Sequence, residues 1–81
     1  MELTIDYEAQ PAGAVLVHSG RPKEDDGGAW RPLVFQVGAG RYQSGVIHAQ
    51  KGSRPVVHRA ILDDLIFARR VADELARLAA A

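Results

Sequence analysis

The side chains best suited to chemistry in this chain of 81 residues are three histidines, His18, His48 and His58. Imidazole nitrogens bind zinc and move protons near neutral pH. His48 and His58 flank a predicted turn at residues 51–54. A four-residue turn would send them to opposite faces of the sheet, whereas a five-residue turn would pair them directly. Zinc needs three or four converging ligands and the chain has no cysteine, so we predict no metal site.

The serines, the adjacent aspartates and the glycine-rich segment that could support catalysis do not lie in the sequence motifs of known catalytic sites. None of the three serines lies in a G-x-S-x-G nucleophile elbow. Asp63 and Asp64 are adjacent, and adjacent positions on a helix diverge by about 100°, so we assign them to a helix start. The segment Gly38-Ala39-Gly40 is similar to the beginning of a phosphate-binding loop, but it joins two predicted strands, which favours a hairpin. We therefore predict no catalytic residue, no cofactor and no enzymatic activity.

The charges are unevenly distributed although the formal net charge is zero. Residues 27–62 contain five basic and no acidic residues, whereas residues 1–26 are acidic. Basic and aromatic side chains on a sheet can bind single-stranded nucleic acid by phosphate contact and stacking. The residues that would make such contacts are Arg41, Tyr42, Lys51, Arg54 and Arg59. The sequence pI of about 6.8 does not favour a dedicated nucleic-acid-binding protein, so this function is the alternative.

The elements that must position these residues follow from hydrophobic periodicity. We predict strands at residues 2–8, 14–18, 33–37, 42–49 and 55–59. The glycine-rich and charged residues 19–31 predict a mobile loop. Pro32 is expected only at a strand start or on a sheet edge, since it lacks an N–H group.

From residue 62 the apolar residues recur with helical spacing, which predicts an α-helix over residues 62–79. The predicted buried stripe is flanked by Phe67, Val71 and Leu78. Its members are Ile61, Leu65, Ala68, Ala72, Leu75 and Ala79. Ile66 lies outside the stripe, so we predict that it is exposed and available for contact with a partner.

Together these elements predict a single α+β domain over residues 1–81. Its antiparallel β-sheet is a meander of three to five strands, covered on one face by one long C-terminal α-helix. The longest apolar run has four residues, which excludes a membrane-spanning segment. The absence of cysteine fits a reducing compartment, so we expect a cytoplasmic protein. The excess of arginine over lysine and the many alanines indicate a bacterial source.

This architecture leaves a sheet edge or sheet face open, and such surfaces are natural association sites. We therefore expect a small bacterial protein that acts as a non-enzymatic protein-interaction module. Its partner would be another protein or a second copy of the chain.

Overall fold

The computed structural model describes residues 7–81. These form six strands and one helix: β1 (Tyr7–Ala9), β2 (Val15–Ser19), β3 (Lys23–Asp25), β4 (Gly28–Gly38), β5 (Arg41–His48), β6 (Val56–His58) and α1 (Leu65–Ala80). The strands make one antiparallel sheet in the order β1-β6-β5-β4-β2, and β3 pairs with the first part of β4. α1 packs on β3, β4 and β5. The predicted α+β class, with an antiparallel sheet and one C-terminal helix, is confirmed.

The centre of the sheet is the β4-β5-β6 meander. Ala39 and Gly40 join β4 to β5, and Gly40 has a φ of +64° that glycine adopts without strain. The segment from Gly38 to Gly40 is therefore a hairpin, as predicted. β5 and β6 lie close together at Gly45, where an added Cβ would sit 2.5 Å from the Val56 carbonyl oxygen.

The segment 19–31, predicted as a loop, instead contains β3 and the first part of β4. Lys23 pairs with Trp30 and Asp25 with Gly28, so Asp26 and Gly27 form the turn of a short hairpin. Hydrophobic periodicity could not predict this hairpin, because β3 is charged throughout and its turn is rich in glycine. Its position in the fold is set by α1, which packs on it.

Pro32 lies inside β4, not at its start. Its carbonyl accepts a hydrogen bond from the Gly20 N–H at 3.0 Å. The polar backbone groups of Pro32 therefore face the side of β4 on which β2 and β3 lie. On that side β4 changes partner from β3 to β2, and residues 20–22 connect these two strands. The missing N–H therefore falls in a gap between two ladders, where no regular partner strand needs it.

The two predicted N-terminal strands have different outcomes. The strand predicted at residues 14–18 is present as β2, at residues 15–19, with a bulge between Leu16 and His18. The strand predicted at residues 2–8 lies mostly outside the described residues. At its end, β1 pairs with β6 through Tyr7 and His58, Glu8 and Val57, and Ala9 and Val56.

The helix begins three residues later than predicted because Asp64 caps it. One carboxylate oxygen of Asp64 accepts from the Ile66 N–H at 3.2 Å and the other from the Phe67 N–H at 3.4 Å. Two backbone donors of the first turn, which have no partner inside the helix, are satisfied in this way. Ile61 lies outside the helix and is exposed, so it is not part of the buried stripe.

The buried stripe of α1 also differs from the prediction at its C-terminal end. Its buried residues are Ala68, Ala72, Leu75, Ala76 and Ala80. The stripe is thus rotated toward Ala76 and Ala80, and Ala79 is only half-buried. Most of these residues are alanines, so the helix approaches the sheet closely and packs on Val34 and Val46. Leu33, Phe35 and Val57 form a third cluster, on the other face of the sheet.

Candidate functional site

An open apolar pocket lies beside α1, between the helix, β5 and the end of β6. Its volume is about 220 Å³. We call it the helix-flank pocket, and its lining residues are Ser44, His58, Ala60, Leu62, Phe67, Val71 and Glu74. These residues come from β5, from β6 and the segment after it, and from α1.

Two walls of the helix-flank pocket are apolar. Phe67 and Val71 are four residues apart on α1, so they lie one above the other on one side of the helix. The opposite wall is fixed by a pair of backbone hydrogen bonds between Leu62 and Tyr42, with N···O distances of 2.7 and 2.8 Å. The pocket is therefore held between the helix and a segment that is attached to the sheet.

Ser44 and His58 lie at the base of the helix-flank pocket. Gly45 is opposite Val57, so Ser44 and His58 are cross-strand neighbours on the helix side. The buried Ser44 hydroxyl donates to the Ala68 carbonyl oxygen at 2.6 Å. The Nδ1 atom of His58 accepts from the Ala60 N–H at 3.2 Å, which puts the proton of a neutral ring on Nε2.

A serine, a histidine and a glutamate in one pocket have the composition of a catalytic triad but not its hydrogen bonds. A triad histidine donates from Nδ1 to a carboxylate and accepts the serine proton at Nε2. In His58 the Nδ1 atom is an acceptor, and the Ser44 hydroxyl is donated to a helix carbonyl. The arrangement can therefore contact a ligand, with the Ser44 hydroxyl directed to the Ala68 carbonyl oxygen and not to His58.

Glu74 lies at the rim of the helix-flank pocket and is paired with Arg77. The Arg77 Nε donates to one Glu74 oxygen at 3.0 Å, and the Arg77 Nη2 contacts the other. The hydrogen bond from Arg77 lowers the pKa of Glu74 below its usual value. The rim is thus a compensated ion pair at neutral pH.

Exposed apolar side chains adjoin the helix-flank pocket. Phe67 and Ile61 are each 52% exposed, and Ile66 is 61% exposed. Phe67 is itself a pocket wall, and Ile61 lies between two lining residues in the chain. Ile66 is exposed but does not line the pocket.

The basic residues predicted to contact nucleic acid are divided between the two ends of the sheet. Arg41 begins β5, and the Arg59 carbonyl is near that end because Gln43 Nε2 donates to it at 3.3 Å. Lys51 and Arg54 follow the other end of β5, roughly 20 Å away at about 3.3 Å per strand residue. Arg59 also faces the Glu8 carboxylate at 3.8 Å.

The aromatic rings near these cations take part in the core. Tyr42 packs on the cluster formed by Val34, Ala68 and Ala72. Trp30 packs on the other helix-side cluster, and its ring is perpendicular to the His48 ring, with a centroid distance of 4.9 Å. Both rings are therefore partly buried against the core.

The β5-β6 register differs from both turn lengths considered for the histidines. Seven residues, 49–55, separate the strands, and Val46 is opposite Val56. His48 and His58 thus share the helix side of the sheet, but they are displaced along the strands and do not pair. Among the described residues, no three His, Asp or Glu side chains form a group that could hold a metal ion.

A second, more open cavity of about 450 Å³ lies between residues 9–13 and residues 54–55. Arg54 is its one charged lining residue and is exposed. This cavity is more open and less apolar than the helix-flank pocket, so it is the weaker candidate.

No protein-family model, curated protein or solved structure matches this chain. The site is therefore assigned from its own geometry. In the described part of the chain, α1 has neither the length nor the apolar character needed to span a bilayer.

Proposed function

We propose that this protein is a non-enzymatic protein-interaction module that binds a bulky apolar side chain of a partner protein in the helix-flank pocket. The observation that carries the proposal is the apolar pocket of about 220 Å³ that opens beside the exposed Phe67 and Ile61.

The size of the pocket selects the kind of group that it can hold. An apolar cavity of about 150 Å³ accommodates a benzene molecule, whereas pockets for drug-sized ligands are typically about 300–1,000 Å³. A pocket of about 220 Å³ therefore fits one aromatic ring or one branched aliphatic chain, and it is too small for a nucleotide-sized cofactor.

The exposed surface around the pocket favours a protein over a free small molecule. A ligand the size of one ring would cover only the side of Phe67 that lines the pocket, and it would leave Ile61 in water. A partner protein would insert an anchor side chain and cover both residues with the surrounding surface. Energetically important interface residues are often apolar anchors in such desolvated pockets.

The polar groups of the pocket support a binding role without catalysis. The Ser44 hydroxyl and the His58 Nδ1 atom are engaged with backbone groups, and Glu74 is engaged with Arg77. Each of these contacts stabilises the pocket, and none leaves a base placed to take a proton from Ser44.

Nucleic-acid binding through Arg41, Tyr42, Lys51, Arg54 and Arg59 is the alternative function. The separation of the cations between two ends of the sheet does not favour a single phosphate-binding track. The packing of Tyr42 in the core does not favour base stacking. For the source and location, the composition and the cysteine-free sequence support a bacterial, cytoplasmic protein.

Selection from a displayed library of random peptides tests the proposed function. We expect the selected peptides to share one bulky apolar residue, and binding to be lost in Ala60→Phe, which fills the pocket from an exposed position. Ala49→Phe, the same change at an exposed site near the other end of β5, should bind like the parent. Peptides without a common apolar residue, or equal binding by both variants, would contradict the proposal.

A further inference from the structure

The free edge of β2 is an apolar surface separate from the helix-flank pocket. Among the described residues β2 pairs only with β4, so its other edge has no partner strand there. Val15, Leu16 and Val17 are 60%, 50% and 40% exposed. An edge strand with exposed apolar residues is a template for pairing with another strand.

The other short edge strands are protected by charge, and β2 is not. β3 consists of Lys23, Glu24 and Asp25, and β1 carries Glu8. Charged residues on an edge oppose pairing because a second strand would have to desolvate them. β2 is longer than either, with five residues, and none of them is an acid, a lysine or an arginine.

We infer that two copies of this chain associate by antiparallel pairing of their β2 strands. The occupant that fits this edge is an extended strand with neighbouring apolar residues and without acids, lysine or arginine, and β2 itself has that composition. Antiparallel pairing of identical strands has two-fold symmetry, so one surface serves both copies. The net charge of zero means that two copies do not repel each other at neutral pH.

The interface of the inferred dimer is small. The bulge between Leu16 and His18 twists the strand at Val17 and shortens the regular pairing. A short two-strand contact lies below the roughly 1,200 Å² buried in stable interfaces, so the association should be weak and transient. We expect a dissociation constant between about 10 µM and about 1 mM.

Sedimentation equilibrium over that range of concentrations, on the whole chain, tests the inference. The parent should change from monomer toward dimer as its concentration rises. Leu16→Lys should remain monomeric, because each dimer would bring two added cations into the short paired edge and would have to desolvate them. Val15→Lys is a second edge variant, and circular dichroism confirms that each variant is folded.

Ile66→Lys is the matched control, since it makes the same kind of change at an exposed residue of α1. It should dimerise like the parent. A parent that stays monomeric at about 1 mM would overturn the inference. Dimerisation that persists in both β2 variants, or that is lost in Ile66→Lys and kept in Leu16→Lys, would also overturn it.

Discussion

The Ser44 hydroxyl donates a hydrogen bond to the Ala68 carbonyl oxygen at 2.6 Å and so joins β5 to α1. The contact is buried and lies at the base of the helix-flank pocket. The close approach is possible because the helix presents alanine at this position. The pocket is thus built on a direct link between sheet and helix.

Ser44→Ala should lower the free energy of unfolding by about 1 kcal/mol, because it removes one buried hydrogen bond. Urea denaturation monitored by circular dichroism measures the change. Ser19→Ala, at an exposed position on β2, is the control and should be close to neutral. Equal urea midpoints for the two variants would show that the Ser44 hydroxyl does not stabilise the packing of α1 on the sheet.

Asp64→Ala should destabilise the protein by about 0.5–2 kcal/mol, because the side chain accepts from two backbone N–H groups of the first helical turn. Asp63→Ala removes the same charge one residue earlier, where we identify no cap contact, and should cost less. Thermal unfolding of both variants separates capping from the general effect of an acid near a helix N-terminus. A greater loss of stability in Asp63→Ala than in Asp64→Ala would show that Asp64 is not the capping residue.

Gly27→Ala should destabilise the protein by about 1–3 kcal/mol through crowding at the helix C-terminus. The Gly27 N–H contacts the Ala80 carbonyl, and an added Cβ would lie 2.8–2.9 Å from the carbonyl oxygens of Ala79, Ala80 and Ala81. Asp26→Ala, its exposed neighbour, is the control. Faster amide exchange at the end of α1 should accompany the loss, and unchanged exchange would contradict this account.

The spacing of the apolar residues predicted the strands of the meander and the helix, because each of these elements buries one face against the core. The β3 strand could not be predicted in this way, since Lys23, Glu24 and Asp25 show no alternation. Its partner is the start of β4, and α1 packs against it. The start of the helix could be predicted from the local sequence, because aspartate is a favoured N-cap residue and Asp64 directly precedes the first turn.

The helix-flank pocket was not predicted, although each wall has a sequence signal. Phe67 and Val71 are four residues apart and were interpreted as the flank of the buried stripe. Their exposure depends on where α1 crosses the sheet, which the helical period alone does not determine. The β5-β6 register depends on a seven-residue connection, and its length did not follow from the turn signals at residues 51–54.

The most direct test of the central proposal is a titration of the ¹⁵N-labelled protein with N-acetyl amides of tryptophan, phenylalanine and leucine, followed by NMR. A single side-chain mimic of this size should bind with a dissociation constant on the order of 1 mM. We predict saturable shifts at Leu62, Phe67 and Val71, no shifts with the serine analogue, and loss of the shifts in Ala60→Phe but not in Ala49→Phe. Shifts that are absent, or that persist unchanged in Ala60→Phe, would contradict it.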